Sequence, residues 1–202
     1  MPMSELAASR LDDWLEELSA PVPDPGGGAA AGIVIATGAA LVAMAAGYVR
    51  ADAAAELVAT ATRVRGEALA AAEHDGRMSG LLVVAFRRPT DDPGREEALR
   101  TATVAAADAG ADLVALAASL GGPLLWLERF GEARLAPDVA VAARMLACGI
   151  RSTAVNIRGN TTSAAGAGVD APTLQRLRAA GERAEQAAAR LDAVAERVTA
   201  TL

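Results

Sequence analysis

One strongly helical stretch carries three consecutive polar residues, Glu73-His74-Asp75, in largely apolar surroundings. A carboxyl group buried beside an imidazole holds its proton more tightly and can act as a general acid or base near neutral pH. The same trio also fits a solvated helix face. Asp138 follows Pro137 where another helix should open, a position that suits an N-cap, a first-turn acid or a catalytic carboxylate. Asn156 and Asn160 stand four apart and so share one helical face, where both amides could read one ligand or bond a neighbouring helix. Arg87 and Arg88 precede Pro89 and could pair with substrate carboxylates, or simply end a solvated helix.

Upstream of these residues, Asp24-Pro25-Gly26-Gly27-Gly28 leads directly into an uncharged segment from Ala29 to Val49. Three glycines leave backbone N–H groups unobstructed, and the helix that follows adds the positive end of its dipole. Gly26, Gly27 and Gly28 therefore form a cradle for an anion or a carboxylate, unless they serve only to break the chain at a crowded helix start. No Lys-Ser/Thr follows the run and no strand precedes it, which excludes a Walker loop and a dinucleotide fingerprint.

The elements that must position these residues all read as helices. Leu11, Trp14, Leu15 and Leu18 recur at helical spacing opposite Asp12, Asp13, Glu16 and Glu17, predicting an amphipathic cover helix from about Ser4 to Ser19 with Trp14 in the core. Pro21, Pro23 and Pro25 then extend the chain. A helix buried all round follows, and Arg50 and Asp52 end its uncharged run without a helix breaker, so that it bends or continues into a helix over about 53–86. Further helices are predicted from Glu96 to about Leu120, briefly over 124–130, from Asp138 to about Thr161 and from Thr173 to about Thr199. No segment alternates as a strand would, so the fold class is all-α, a bundle of long Ala-rich helices forming one domain over 1–202.

Composition narrows the function. Hydrophobic residues make up 52% of the chain but aromatics only 2%, and alanine alone is about a quarter, which predicts helices packed very closely. Such slim helices bury little area each, so a partner subunit would supply the missing burial, and a homodimer is expected. All 19 basic residues are arginine against 25 acids, a net charge of −6 that argues against nucleic acid as a partner. One cysteine and one histidine exclude a disulfide framework and leave too few ligands for a zinc site, so no metal is expected. The segment 29–49 is long enough to span a bilayer, but its Ala and Gly insert less readily than Leu or Ile; no membrane association and a cytoplasmic location are expected.

Several of these pieces together resemble a known family. An opening helix with Trp14-Leu15-Glu16-Glu17-Leu18 is followed by Pro23-x-Pro25-Gly26-Gly27-Gly28 and an Ala/Gly helix ending in Ala43-Met44-Ala45-Ala46. Asp75 with a later Ala85-x-x-x-Pro89, Asp138 after a Gly-containing turn, and Asn156 with Asn160 complete the pattern. The chain thus resembles the formiminotetrahydrofolate cyclodeaminase and methenyltetrahydrofolate cyclohydrolase family over nearly its whole length. The resemblance implies an all-helical homodimer that binds a reduced folate and needs no cofactor beyond that substrate. It implies either loss of ammonia from 5-formiminotetrahydrofolate to close the 5,10-methenyl ring, or hydrolysis of that ring to 10-formyltetrahydrofolate. Asp75 and Asp138 would then be the catalytic carboxylates, while Gly26, Gly27, Gly28, Arg87, Asn156 and Asn160 would contact substrate. Where members often carry a Gly-Lys-Lys-x-Tyr-like segment this chain has Arg50-Ala51-Asp52, which keeps open an alternative: a catalytically degenerate helical dimer that binds folate or a protein partner.

Overall fold

A computed structural model describes residues 9–202, and every described element is helical. The helices are α1 (Leu11–Ser19), α2 (Gly27–Gly47), α3 (Asp52–Arg87), α4 (Arg95–Ala118), α5 (Gly121–Phe130), α6 (Ala136–Gly166) and α7 (Ala171–Thr199), with a 3-10 turn at Ala133–Leu135. Among the described residues there is no strand, as the periodicity requires. Ser4, the predicted cap of the first helix, lies outside the described residues.

α2 is packed between α3 and α6, and α4 closes the group by packing on α3, α6 and α7. Close approach is made possible by missing side chains. A Cβ on Gly32 would lie 2.8 Å from the Cβ of Ala72 on α3, and one on Gly149 of α6 would lie 2.5 Å from Ile35 Cγ1. The core that results is built from Ile35, Val42, Leu146, Ile150 and Ile157, all almost fully buried, with alanine filling the spaces between them. Two segments, Gly27–Gly47 and Arg95–Phe130, are long and apolar enough to cross a membrane; 56% of the first one's most apolar window is buried inside the bundle.

α7 is an amphipathic strap. Its buried residues Leu174, Leu177, Gly181, Ala184, Ala188, Leu191, Ala195 and Val198 follow the alternating three-and-four spacing of a helix-pair seam. Beside that seam Arg144, Arg151 and Arg158 recur every seven residues on α6 and meet Glu185 and Asp192 on α7. Asp192 is the hub, 2.6 Å from Arg144 and 2.5 Å from Arg151, with its side chain only 16% exposed. Burial by itself would raise the Asp192 carboxyl, but hydrogen bonds from the two arginines outweigh it and hold the group below its ordinary range. Arg197 clamps Glu128 of α5 through two hydrogen bonds of 2.6 and 2.8 Å, and Arg176 pairs with Asp108 of α4.

Two local expectations change. α1 buries Trp14 against Ala29 and Ala72, as its pattern predicts, but Leu11 and Leu15 remain exposed because the helix is only nine residues long and meets the bundle along one line. The chain also breaks between Gly47 and Asp52 rather than continuing: Tyr48 to Ala51 turn it back so that α3 packs on α2. The ring of Tyr48 is covered by the Arg134 guanidinium, 5.1 Å from its centroid.

Candidate functional site

The first turn of α2 has no side-chain cap of its own. Its unpaired N–H groups are met instead from α3: the Asp75 carboxylate accepts a hydrogen bond from the backbone N–H of Ala29. It lies so close to Gly28 that a Cβ there would overlap all three carboxylate atoms. The cradle read from the glycine run therefore exists, but at Gly28 the protein's own carboxylate occupies it, because α3 passes directly across the helix start. The segment before α2 makes a matching contact, with the Asp24 carboxylate pressed against Gly76 where a Cβ would overlap it. The Asp24–Pro25 peptide that leads into this contact is cis.

Two adjoining hollows of about 450 and 390 Å³ open at this point and share Gly28, Asp75, Ala106 and Asn156. The first runs between α3, α4 and α6 and is lined by Glu67, His74, Arg77, Asp112 and Thr153. The second runs under the α2 start and is lined by Gly26, Gly27, Met78, Ser79 and Asn160. Asp75 thus stands on the shared wall of one continuous cleft. Around it lie Asp112 and Glu67, the latter already paired with Arg63 at 2.9 Å, and the Arg77 guanidinium, so with Asp75 itself the larger hollow is mildly acidic.

Desolvation by burial pushes the Asp75 carboxyl above its ordinary value. The Ala29 N–H pulls it back, the Asp24 charge pushes it up again and His74 pulls it down, leaving a net rise. Such a group carries a proton nearer to neutral pH than an ordinary aspartate and can both give and take one. Asn156 approaches Gly27, its Oδ1 3.6 Å from where a Cβ would stand. Among the described residues no protein group hydrogen-bonds the amide of Asn156 or of Asn160, so helix-to-helix bonding does not account for the pair. Thr153, one turn before Asn156 on α6, donates its hydroxyl to the Gly149 carbonyl at 2.9 Å.

Asp75, Asn156, Asn160, Gly26, Gly27 and Gly28 are thus brought together, and two predicted residues are not. Asp138 sits in the first turn of α6, eighteen residues before Asn156 on the same straight helix and so about 27 Å away along its axis. Its plainer reading as a first-turn acid is what this position delivers. Arg87 ends α3 twelve residues beyond Asp75, about 18 Å of helical rise, and points into solvent. Of the arginine pair it is Arg88 that lines a cavity, a separate apolar groove between α3 and α4. The sequence reading also missed Glu67, Arg77, Asp112 and Asp24. Glu67, Ala71, His74, Asp75, Met78 and Leu82 fall on one helical stripe through Asp75, so a stripe drawn from the acid would have found part of the wall.

The fold belongs to a known class. It matches the crystal structure of formiminotetrahydrofolate cyclodeaminase from Thermotoga maritima with a TM-score of 0.83 at 22% sequence identity, over 98% of each chain. The chain itself is a member of the formiminotransferase-cyclodeaminase family, whose profile matches residues 10–196. No curated protein sequence matches the chain significantly.

Proposed function

We propose that the protein is an enzyme of folate one-carbon metabolism, acting at the cleft beneath the first turn of α2. Membership in the formiminotransferase-cyclodeaminase family supports a reduced folate as the ligand. The observation that carries the reading is Asp75: a carboxylate with raised proton affinity on the wall of a cleft, beside two asparagine amides that have no hydrogen-bond partner among the described residues.

A 5,10-methenyl bridge is a planar amidinium cation, and an acidic cleft favours it over a neutral ligand. In the hydrolytic direction, water adds to the bridge carbon and gives up a proton to Asp75. The tetrahedral adduct then breaks its bond to N5, which takes that proton back from Asp75, while the adduct hydroxyl gives its own proton to solvent and becomes the formyl carbonyl of 10-formyltetrahydrofolate. In the deaminating direction, N10 attacks the carbon of the protonated formimino group and passes its own proton to Asp75; Asp75 then gives a proton to the former imino nitrogen, whose bond to carbon breaks to release ammonia and leave the methenyl cation. One residue that alternates between acid and base serves either course. Asn156 and Asn160, one turn apart, suit the donor and acceptor edge of the pterin.

The homodimer belongs to the same proposal. Val141, Cys148 and Val155 recur every seven residues on exposed positions of α6, and the neighbouring α2 exposes Thr37, Met44 and its following Tyr48. None of these is charged, as a helix-to-helix interface between copies requires. Light scattering coupled to gel filtration reads it directly, with a mass of two chains expected. For the activity, purified protein is incubated with 5,10-methenyltetrahydrofolate or 5-formiminotetrahydrofolate, following absorbance and ammonia with buffer hydrolysis subtracted. Turnover of either supports the reading. Tight folate binding without turnover identifies the catalytically degenerate dimer, and neither result removes folate chemistry altogether.

A further inference from the structure

Asp24 plays no part in the chemistry above, yet its carboxylate lies directly against Gly76, next to Asp75. Two acid-to-glycine contacts interlock across the same gap: Asp75 of α3 lies on Gly28, and Asp24, from the segment entering α2, lies on Gly76. Each glycine directly neighbours, or stands a few residues from, the acid of the opposite contact, so the two carboxylates are fixed on either side of the first turn of α2. A Cβ on either glycine would overlap the facing carboxylate. Asp24 is exposed and Asp75 is half-buried, so one charge faces water while the other faces the cleft.

We propose that Asp24 is a positioning residue for Asp75, the two forming a two-carboxylate unit across the start of α2 in which Asp75 is the proton-carrying member. Like charges held close oppose joint ionisation, and the member with less water takes the proton. The Asp24 charge does raise the proton affinity of Asp75. The other groups facing Asp75 are few. Among the described residues, His74 beside it on α3 opposes Asp24; Glu67, itself paired with Arg63, and Arg77 on α3 and Asp112 on α4 line the same hollow; α6 contributes only the neutral Asn156, Asn160 and Thr153, and α2 only backbone. The catalytic part of this inference rests on the proposed folate activity, whereas the coupling of the two acids does not.

The test titrates the Asp75 side-chain carbon by carbon-13 NMR in the full chain, comparing the wild type with Asp24→Asn, which keeps shape and removes charge. The midpoint is expected to fall in the variant, and the pH profile of kcat, where turnover is present, to shift in the same direction. A purely structural role for Asp24 would change stability without moving either midpoint. Gly76→Ala, which drives the Asp24 carboxylate away, is expected to reproduce the shift and serves as the second variant should Asp24→Asn fold poorly. An Asp75 midpoint unmoved in a folded variant overturns the inference, even if the wild type turns over folate. A shifted midpoint in a protein without turnover sustains the coupling and rejects the proposed activity alone.

Discussion

Adding one methyl group at Gly28 tests how the cleft is assembled. The backbone there has no positive φ, so alanine is conformationally allowed, and in a helix it gains up to about 1 kcal/mol over glycine. Its Cβ would overlap the Asp75 carboxylate, which must leave the Ala29 N–H. A hydrogen bond to a charged acceptor contributes about 1.5–3 kcal/mol. Gly28→Ala is therefore expected to destabilise the chain by about 1–2 kcal/mol net and to abolish turnover. In an Asp75→Ala background neither the clash nor the bond remains, and the same substitution should stabilise by up to about 1 kcal/mol. Urea unfolding followed by circular dichroism on the four proteins of this cycle supplies the numbers. The reasoning fails if Gly28→Ala stabilises the wild type, or has the same effect in both backgrounds.

Other consequences are as direct. Asp75→Asn keeps an acceptor for the Ala29 N–H and removes a charge that burial disfavours, so it should match or exceed the wild type in stability at pH 7 while turnover falls by about a hundredfold or more, measured by urea unfolding and steady-state kinetics. Asp192→Ala leaves Arg144 and Arg151 without their shared partner and should cost about 1–3 kcal/mol in the same unfolding assay. The lowered carboxyls of Glu128, Asp170 and Asp192 contribute stability that is present above about pH 4 and lost as pH falls through their depressed values. Asp75, raised, has the opposite sense: its contribution is complete below its ordinary value and is lost as pH rises through its folded value, so Asp75→Asn should flatten the fall in stability that begins above about pH 4 in thermal melts. Asp138→Asn is expected to leave turnover unchanged, since its position on α6 keeps it from the cleft of its own chain; loss of turnover with the fold intact would bring Asp138 into the site of a partner subunit.

Much of this architecture was legible because helices follow local rules. The periodicity of the α7 seam, the Pro and Gly stops and the acids in first turns placed most helix ends to within a few residues. Asp75 was legible as a polar residue in apolar company, and Asn156 with Asn160 as two poor helix formers four apart. Asp138 lies away from the cleft of its own chain: a proline followed by an acid marks where a helix starts, and says nothing about which end of the bundle that start occupies. With α6 as long as 31 residues, the two ends belong to different regions of the molecule. At Gly28 the cradle expected from the glycine run is filled by one of the protein's own carboxylates. Its occupant arrives from α3, and only the crossing of two helices reveals it. Asp24 was hidden for the same reason: its contact with Gly76 depends on the path of an extended segment that no periodicity describes.

The most direct measurement is a crystal structure with bound 5-formyltetrahydrofolate, a stable relative of both proposed substrates. The account predicts its one-carbon group against the Asp75 carboxylate and its pterin amide edge on Asn156 and Asn160. A folate bound elsewhere, with Asp75 still capping α2 and touching no ligand, would contradict it.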